Sequence, residues 1–436
     1  MEPRWTLGAL AGLAGSLVAL TAAHAMAVTP PKVVLDRDGL KDSPERKVGL
    51  TPGHTNRIAF VDARSRGGQC SDERSAALAD SVKTPWCSLA RAAGDAPAGT
   101  TVLVRGGTYP VAGIGRKRAG RVRLSPYPGE RAVLRGASLS GQGIRLEGFH
   151  ITGTVGLAAR TRRIALVGNR WTTDGRSGGT NLAIEPGVRD VLVAANRISQ
   201  RASVRGPNAI NFNSTNTRPA IVAVTIRDNR IGPVAGGGDA IQAKHTRGLT
   251  ISHNEIFGVR RPPGSAAHPD VFQSIYGATG LTIKDNFIHN IAAQGIFLQR
   301  FQGTNRNFNA HDNVIARVAA PWTAFSANAR KATIGHNTID GILRAGGASV
   351  RVVSNVAIRG IIVEPEGGVT RERYNLASRF THKPGAGSIM GGPIFGDAGK
   401  NDFRLKRGTR GSGDGPGRRD IGSRRANWSH PVFRRR

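Results

Sequence analysis

The sequence predicts an all-β fold of stacked, strand-built coils, and three observations lead to it. From residue 148 onward a short unit recurs, an aliphatic strand followed by a polar residue, Asn and a second apolar strand: LVGNRW, LVAANRI, VTIRDNRI, LTISHNEI, LTIKDNFI, FNAHDNVI, ATIGHNTI and VRVVSNVAI. Its asparagines are Asn169, Asn196, Asn229, Asn254, Asn286, Asn313, Asn337 and Asn355, at intervals of 27, 33, 25, 32, 27, 24 and 18 residues, the uneven spacing of a solenoid with loops inserted between coils. Within each unit apolar and polar residues alternate with period 2 and show no 3.6-residue stripe, so the repeated elements are strands and helical solenoids drop out. The 58 glycines and the aromatic content of only 5% fit many tight turns and small packing positions, which excludes a helical bundle. Asn suits a repeated corner because it tolerates the left-handed conformation and can hydrogen-bond to asparagines stacked ~4.8 Å above and below.

The remaining elements follow in chain order. Arg4, the apolar run from Leu7 to Ala23 and a small-x-small site at Ala23-His24-Ala25 or Ala25-Met26-Ala27 give residues 1–27 as a signal peptide, hence a secreted, extracellular protein. The alternative is an uncleaved anchor, because the run approaches the ~17-residue lower limit for a span; no later stretch is apolar enough to cross a membrane. Residues 28–68 are polar, rich in Pro and Gly, and read as a flexible N-terminal arm. Cys70 and Cys87, the chain's two cysteines, favour a disulfide in an oxidising compartment over a metal or nucleophilic role, with two free thiols as the alternative. The solenoid domain occupies 69–425. A basic tail, 426–436, ends in Arg434-Arg435-Arg436.

These features resemble the right-handed parallel β-helix proteins, a group that includes pectate and alginate lyases, uronate C5-epimerases, some glycosidases, and phage or adhesin modules. The resemblance covers about residues 85 to 425. PWCSLARAAGDAPAGTTVLVRGGTYP (85–110) looks like the group's opening segment, a short capping helix, a first strand and a Gly-Thr-Tyr turn. NDFRLKRG (401–408) and RDIGSRR (419–425) look like its last coil. Such capped ends imply a monomer.

Between the asparagine corners lies a second set of strands that aligns without gaps: NAINFN (208–213), DAIQAK (239–244), DVFQSI (270–275), QGIFLQ (294–299) and TAFSAN (323–328). One parity, including Ile210, Phe212, Ile241, Phe272 and Phe325, belongs in the core. The other faces water. It forms one column of Asn211, Gln242, Gln273, Phe297 and Ser326 and a second of Asn213, Lys244, Ile275, Gln299 and Asn328. Asp239 and Asp270 stack before the strands, ~5 Å apart, where like charges either bind a cation, with calcium the candidate, raise a pKa, or pair with a Lys or Arg. His245, His268 and Arg300 lie around this patch. For the aspartates the plain alternative is turn formation, and for Lys244 a solvated surface lysine.

A formal charge of +33, from 62 Lys and Arg against 29 Asp and Glu, favours a polyanionic partner. An acidic polysaccharide or anionic cell-wall polymer fits a long, rigid groove, whereas nucleic acid would want more aromatic stacking platforms. The leading function is therefore a polysaccharide lyase acting on a uronate-containing glycan by β-elimination. Lys244 is the base, Arg300 depresses its pKa, His245 or His268 protonates the leaving oxygen, and Asn211, Asn213, Gln242, Gln273 and Gln299 hold substrate. A C5-epimerase or glycosidase on the same fold is the first alternative, and a non-catalytic glycan- or cell-wall-binding module the second. Calcium-dependent pectate lyases usually cluster three or more carboxylates, and the aligned columns offer two.

Overall fold

The computed structural model describes residues 57–173, 179–201, 207–264, 267–299, 303–319, 323–364, 371–424 and 426. Each coil contributes up to three strands that pair in parallel with the same strands of the coils before and after it. In one representative coil these are Leu182–Ile184, Arg189–Ala194 and Arg197–Gln200. The three stacks are called here rows one, two and three. Rows one and two form a continuous sheet of 23 described strands, and row three a sheet of 13. This is a parallel β-helix. Among the described residues no helix is long and apolar enough to cross a membrane.

Alternation dictates the core. Ile210 and Phe212, Ile241 and Ala243, Phe272, Ile296 and Leu298, and Phe325 and Ala327 are all buried, as their parity requires. Ser274 is the polar exception in this inward set, and its hydroxyl is satisfied by donating to Asn305 Oδ1 at 2.8 Å. The helix Leu89–Asp95 begins at Ser88, whose side chain accepts from Arg91 N, and buries Leu89, Ala92 and Ala93. Its last carbonyls are met by the buried Arg116 guanidinium, which donates to Ala93 O and Ala96 O at 3.0 and 2.8 Å. A buried cation at a helix C-terminus satisfies orphan acceptors and complements the dipole. Cys70 and Cys87 form a disulfide just ahead of this helix.

The asparagines stack as nine buried rungs, Asn375 adding to the eight read from the repeat. Their backbone conformation differs from the expectation. The left-handed residue is the one before each asparagine, such as Ala195, Asp228, His253, Asp285 and Tyr374. The asparagine itself needs ordinary φ so that its amide can lie along the stack: Asn229 N and Nδ2 both donate to Asn254 Oδ1, and Asn254 Nδ2 donates to Ile226 O.

Three boundaries also differ. Ile58–Val61, assigned to the flexible arm, pairs with Thr101–Val104 and buries Ala59, Phe60 and Val61, because the short run IAFV can extend the sheet by one strand. Gly107–Tyr109 is a strand of row three rather than a turn. The C-terminal segment is not a last coil: Phe395–Asp397 and Asp402–Leu405 form an antiparallel hairpin that lies against row three. Phe403, with Ala426 from the assigned tail, packs on Phe287, Val314 and Ala316, while Leu405 and Ile421 pack on Val356 and Leu376. Arg424 then pairs with Asp312, whose carboxyl is driven far below its usual range by His311 and Arg424 despite its burial. The outer face of row three is thus covered over these coils.

Candidate functional site

Register places the expected columns as aligned. Asn211 pairs with Gln242, Gln242 with Gln273, Gln273 with Phe297 and Phe297 with Ser326, all on the outward face of row one. The amides are linked to one another. Gln242 Nε2 donates to Gln273 Oε1 at 2.7 Å and to Asp239 Oδ2 at 3.0 Å, so both of its N–H groups are committed. Gln273 Nε2 reaches Asp270 Oδ2 at 3.4 Å and keeps a second N–H. Asn208 donates to Asn211, Asn211 to Asn213, and Asn213 Nδ2 to Glu185 Oε1 at 2.7 Å. Glu185 was not among the expected site residues. It lies one coil before Asn213 in the same outward column, and extending the alignment to TNLAIE (180–185) identifies it.

Asp239 and Asp270 belong to a second ladder. Asp239 N donates to Asn208 Oδ1 at 2.8 Å, Asp270 N to Asp239 Oδ1 at 2.8 Å, and Gln294 N to Asp270 Oδ1 at 3.2 Å. Burial, then repulsion from Asp270, push the Asp239 carboxyl up to about 7. Burial also raises Asp270, against the opposing hydrogen bond and charge of His268. His268 Nδ1 stands 3.2 Å from Asp270 Oδ1, and that hydrogen bond raises the imidazole above its ordinary value in spite of partial burial. Its ring also meets the edge of Phe297, the next outward residue after Gln273, at 6.2 Å.

Lys244 follows Gln242 by two residues on the same face and is half-buried. Desolvation lowers its ammonium pKa, with the Asp239 charge partly opposing. His245 does not join this face in the same way. It occupies a left-handed corner at a break in register between Lys244 and Thr246, and its Nδ1 meets Arg218 O at 3.0 Å. Gln299 is half-buried one coil beyond Ile275, and its backbone carbonyl accepts from Asn305. Arg300 lies outside the described residues. His289 is on row three, stacked against Phe257 and Phe287 and bound to Glu255, away from this face.

The aspartates do not fit a calcium ion. Calcium takes six to eight oxygens, whereas here two carboxylates supply four, each already accepting from a backbone amide, a glutamine or His268. Among the described residues no group of three or more His, Cys, Asp and Glu could hold a metal. What this face offers instead is a lysine displaced toward neutrality two residues after Gln242 and a histidine displaced toward the cation beside Asp270.

Comparison with known proteins adds to this geometry. No family model matches the chain. Over 99 residues, 21% of its length, it is 32% identical to pectate lyase 2 of Pectobacterium atrosepticum, and the match spans 26% of that relative. The relationship to pectate lyases is a distant one, and the match spans only about a quarter of the length of those relatives. Among solved structures it overlays on a PL6 family alginate lyase with a TM-score of 0.46 and 12% identity, covering 75% of this chain and 55% of that one. A pectate lyase structure overlays with a TM-score of 0.40 and 13% identity, covering 86% of this chain and 97% of that one.

Proposed function

We propose that this protein is a secreted polysaccharide lyase that cleaves a uronate-containing glycan by β-elimination on the outward face of row one. The observation that carries this reading is that the linked Gln242 and Gln273 have beside them a half-buried Lys244, its pKa lowered by desolvation, and, bonded to Asp270, a His268 whose pKa that bond raises. Lowering the lysine makes its neutral form, the base, easier to reach, and raising the histidine holds the proton that an acid must give. The distant relationship to pectate lyases and the disulfide agree with an exported enzyme of this class.

In the step, neutral Lys244 Nζ takes the C5 proton. The C5–H electron pair becomes the C4–C5 double bond, the C4–O bond breaks, and the leaving oxygen takes a proton from the His268 imidazolium. Asn211 and the remaining N–H of Gln273 face the uronate carboxylate, whose growing charge in the transition state such donors stabilise. Gln242, with both N–H groups engaged, is a positioning residue that fixes Gln273 and Asp239.

The test is incubation of the purified protein with a panel of polyuronates, following the ultraviolet absorbance of the unsaturated product. Lys244→Ala is expected to lose about 10²–10⁴-fold in rate. On the acid side, kcat/KM rises as Lys244 loses its proton, at a pH below the ordinary lysine value of 10.5. On the alkaline side it falls as His268 deprotonates, and His268→Gln removes that limb. Full activity in Lys244→Ala, or no unsaturated product on any polymer, overturns the reading. In the second case, an altered C5 configuration would assign an epimerase.

A further inference from the structure

We infer that the protein carries a second, non-catalytic track for an acidic polysaccharide, a stripe of arginines along row two. Strand register stacks Arg162 on Arg189, Arg189 on Val222, Val222 on Arg247, Arg247 on Thr279, Thr279 on Arg306 and Arg306 on Arg330. Five arginines therefore fall in one outward column over seven coils. At the ~4.8 Å separation of paired strands the column is about 29 Å long, and its charges recur at one- or two-coil steps. Arg189, Arg247, Arg306 and Arg330 are all exposed.

The arginines of the stripe share a column and have no carboxylate partner among the described residues. Several outward arginines in other columns do meet carboxylates: Arg105 meets Glu130, Arg123 and Arg145 share Glu147, Arg230 meets Glu255, and Arg344 meets Glu364. In the stripe, Arg162 Nε donates to Gln142 Oε1, and among the described residues the guanidinium groups of Arg189, Arg247, Arg306 and Arg330 have no hydrogen-bond, ion-pair or ring partner. Asp190, the carboxylate next along the chain from Arg189, is exposed and pairs with none of them. Exposed Arg163 and Lys331, each one residue beyond a stripe arginine, add to the charge. Like charges stacked in register oppose strand pairing, so folding alone gives no reason to align them.

The occupant that fits is an extended polymer with regularly repeated carboxylates. The column runs parallel to the amide row, and Arg247 follows Lys244 by three residues, no more than about 11 Å of chain. A glycan engaged by the stripe would lie alongside the groove, where its effective concentration is raised. The choice of an acidic glycan rests on the lyase reading; the existence of a polyanion track does not.

The experiment measures binding of polygalacturonate in a Lys244→Ala background, so that polymer is not consumed, across a series of salt concentrations. The test variant is Arg189→Gln, Arg247→Gln, Arg306→Gln. The control removes the same charge from exposed sites off the stripe, as Arg121→Gln, Arg135→Gln, Arg418→Gln. Expected is at least a tenfold loss of affinity for long polymer in the stripe variant only, with the slope of log K against log salt reduced by at most about one per arginine. Affinity should also rise with fragment length up to about the 29 Å span of the stripe. Unfolding midpoints at or above the parent's are expected, since repulsion is relieved. Equal losses in stripe and control variants would mean diffuse charge attraction and overturn the track. Equal competition by single-stranded DNA would overturn its assignment to a glycan. If no polymer is cleaved yet the stripe variant alone loses binding, the track stands and the lyase reading falls.

Discussion

Two hydrogen-bonded ladders run along this solenoid, and they use similar bonds for opposite ends. In the nine-rung asparagine ladder each Oδ1 after the first accepts from the backbone N–H and Nδ2 of the rung before it, Asn169 Oδ1 accepting instead from Phe149 N, while each Nδ2 also closes a carbonyl of an earlier coil. The rungs themselves carry no charge, and only at the end of the ladder does Asn375 Nδ2 donate to a buried carboxylate, that of Glu372. The ladder Asn208, Asp239, Asp270 and Gln294 runs in the other direction, each backbone N–H donating to the side chain one coil earlier. Its two middle rungs are carboxylates, which cannot donate. They therefore draw amide donors from Gln242 and Gln273, and burial raises both above their ordinary pKa, with the Asp270 charge adding to the rise at Asp239. An amide would complete this ladder without that cost. The neutral ladder is what stacking requires, and the charged one marks where the coils depart from it.

Exchanging the chemistry of the two ladders should produce the largest effect. Asn254→Asp keeps the acceptor for Asn229 but, once ionised, loses the donor to Ile226 O and faces Asn286 Oδ1 without a proton. A loss of about 3–5 kcal/mol at neutral pH is expected by denaturant unfolding, partly regained on acidification as the carboxyl protonates. An unchanged unfolding midpoint would show that the ladder tolerates charge.

The reverse exchange should be smaller and opposite in sign. With its folded pKa raised from 3.8 to about 7, Asp239 binds its proton more tightly in the native state. Stability therefore falls as pH rises through that window and stays low above it. Asp239→Asn should flatten this decline and raise the unfolding midpoint at pH above 7, by about 1–3 kcal/mol, with little change below pH 4. A lowered midpoint at all pH values would instead assign the carboxylate a stabilising partner.

The smallest effect sharpens the role of the glutamines. The Gln242 hydrogen bond lowers the Asp239 pKa, so Gln242→Leu should raise it further, by about one unit or less, in a carboxyl-carbon NMR titration. No movement would mean that burial and Asp270 alone set the value.

How much of this was legible differs element by element. The asparagine corners and the parity of the second strand set were readable because period-2 alternation and a fixed corner residue are local signals. The corner's left-handed residue was misplaced by one position because coil geometry fixes it irrespective of type, with Ala195, His253 and Tyr374 all adopting it. Ile58–Val61 was hidden by polar flanks, and the C-terminal hairpin by having no repeat at all; both are held by contacts to distant coils. Alignment placed Gln242, Lys244 and Gln273 on one face, His268 was read from its nearness to Asp270 in the chain, and Glu185 was missed because the alignment began one coil late.

The sequence by itself determined the coil, its core parity, the disulfide and the amide-rich patch, since each depends on residue type at short, regular spacing. Tertiary structure alone decided which carboxylates became buried neighbours, which glutamine was left with a free donor, where the C-terminal segment lies, and that Arg162, Arg189, Arg247, Arg306 and Arg330 share one column. Loops of unequal length separate these residues along the chain, and only the register of stacked strands, fixed by packing of the inward side chains, brings them together.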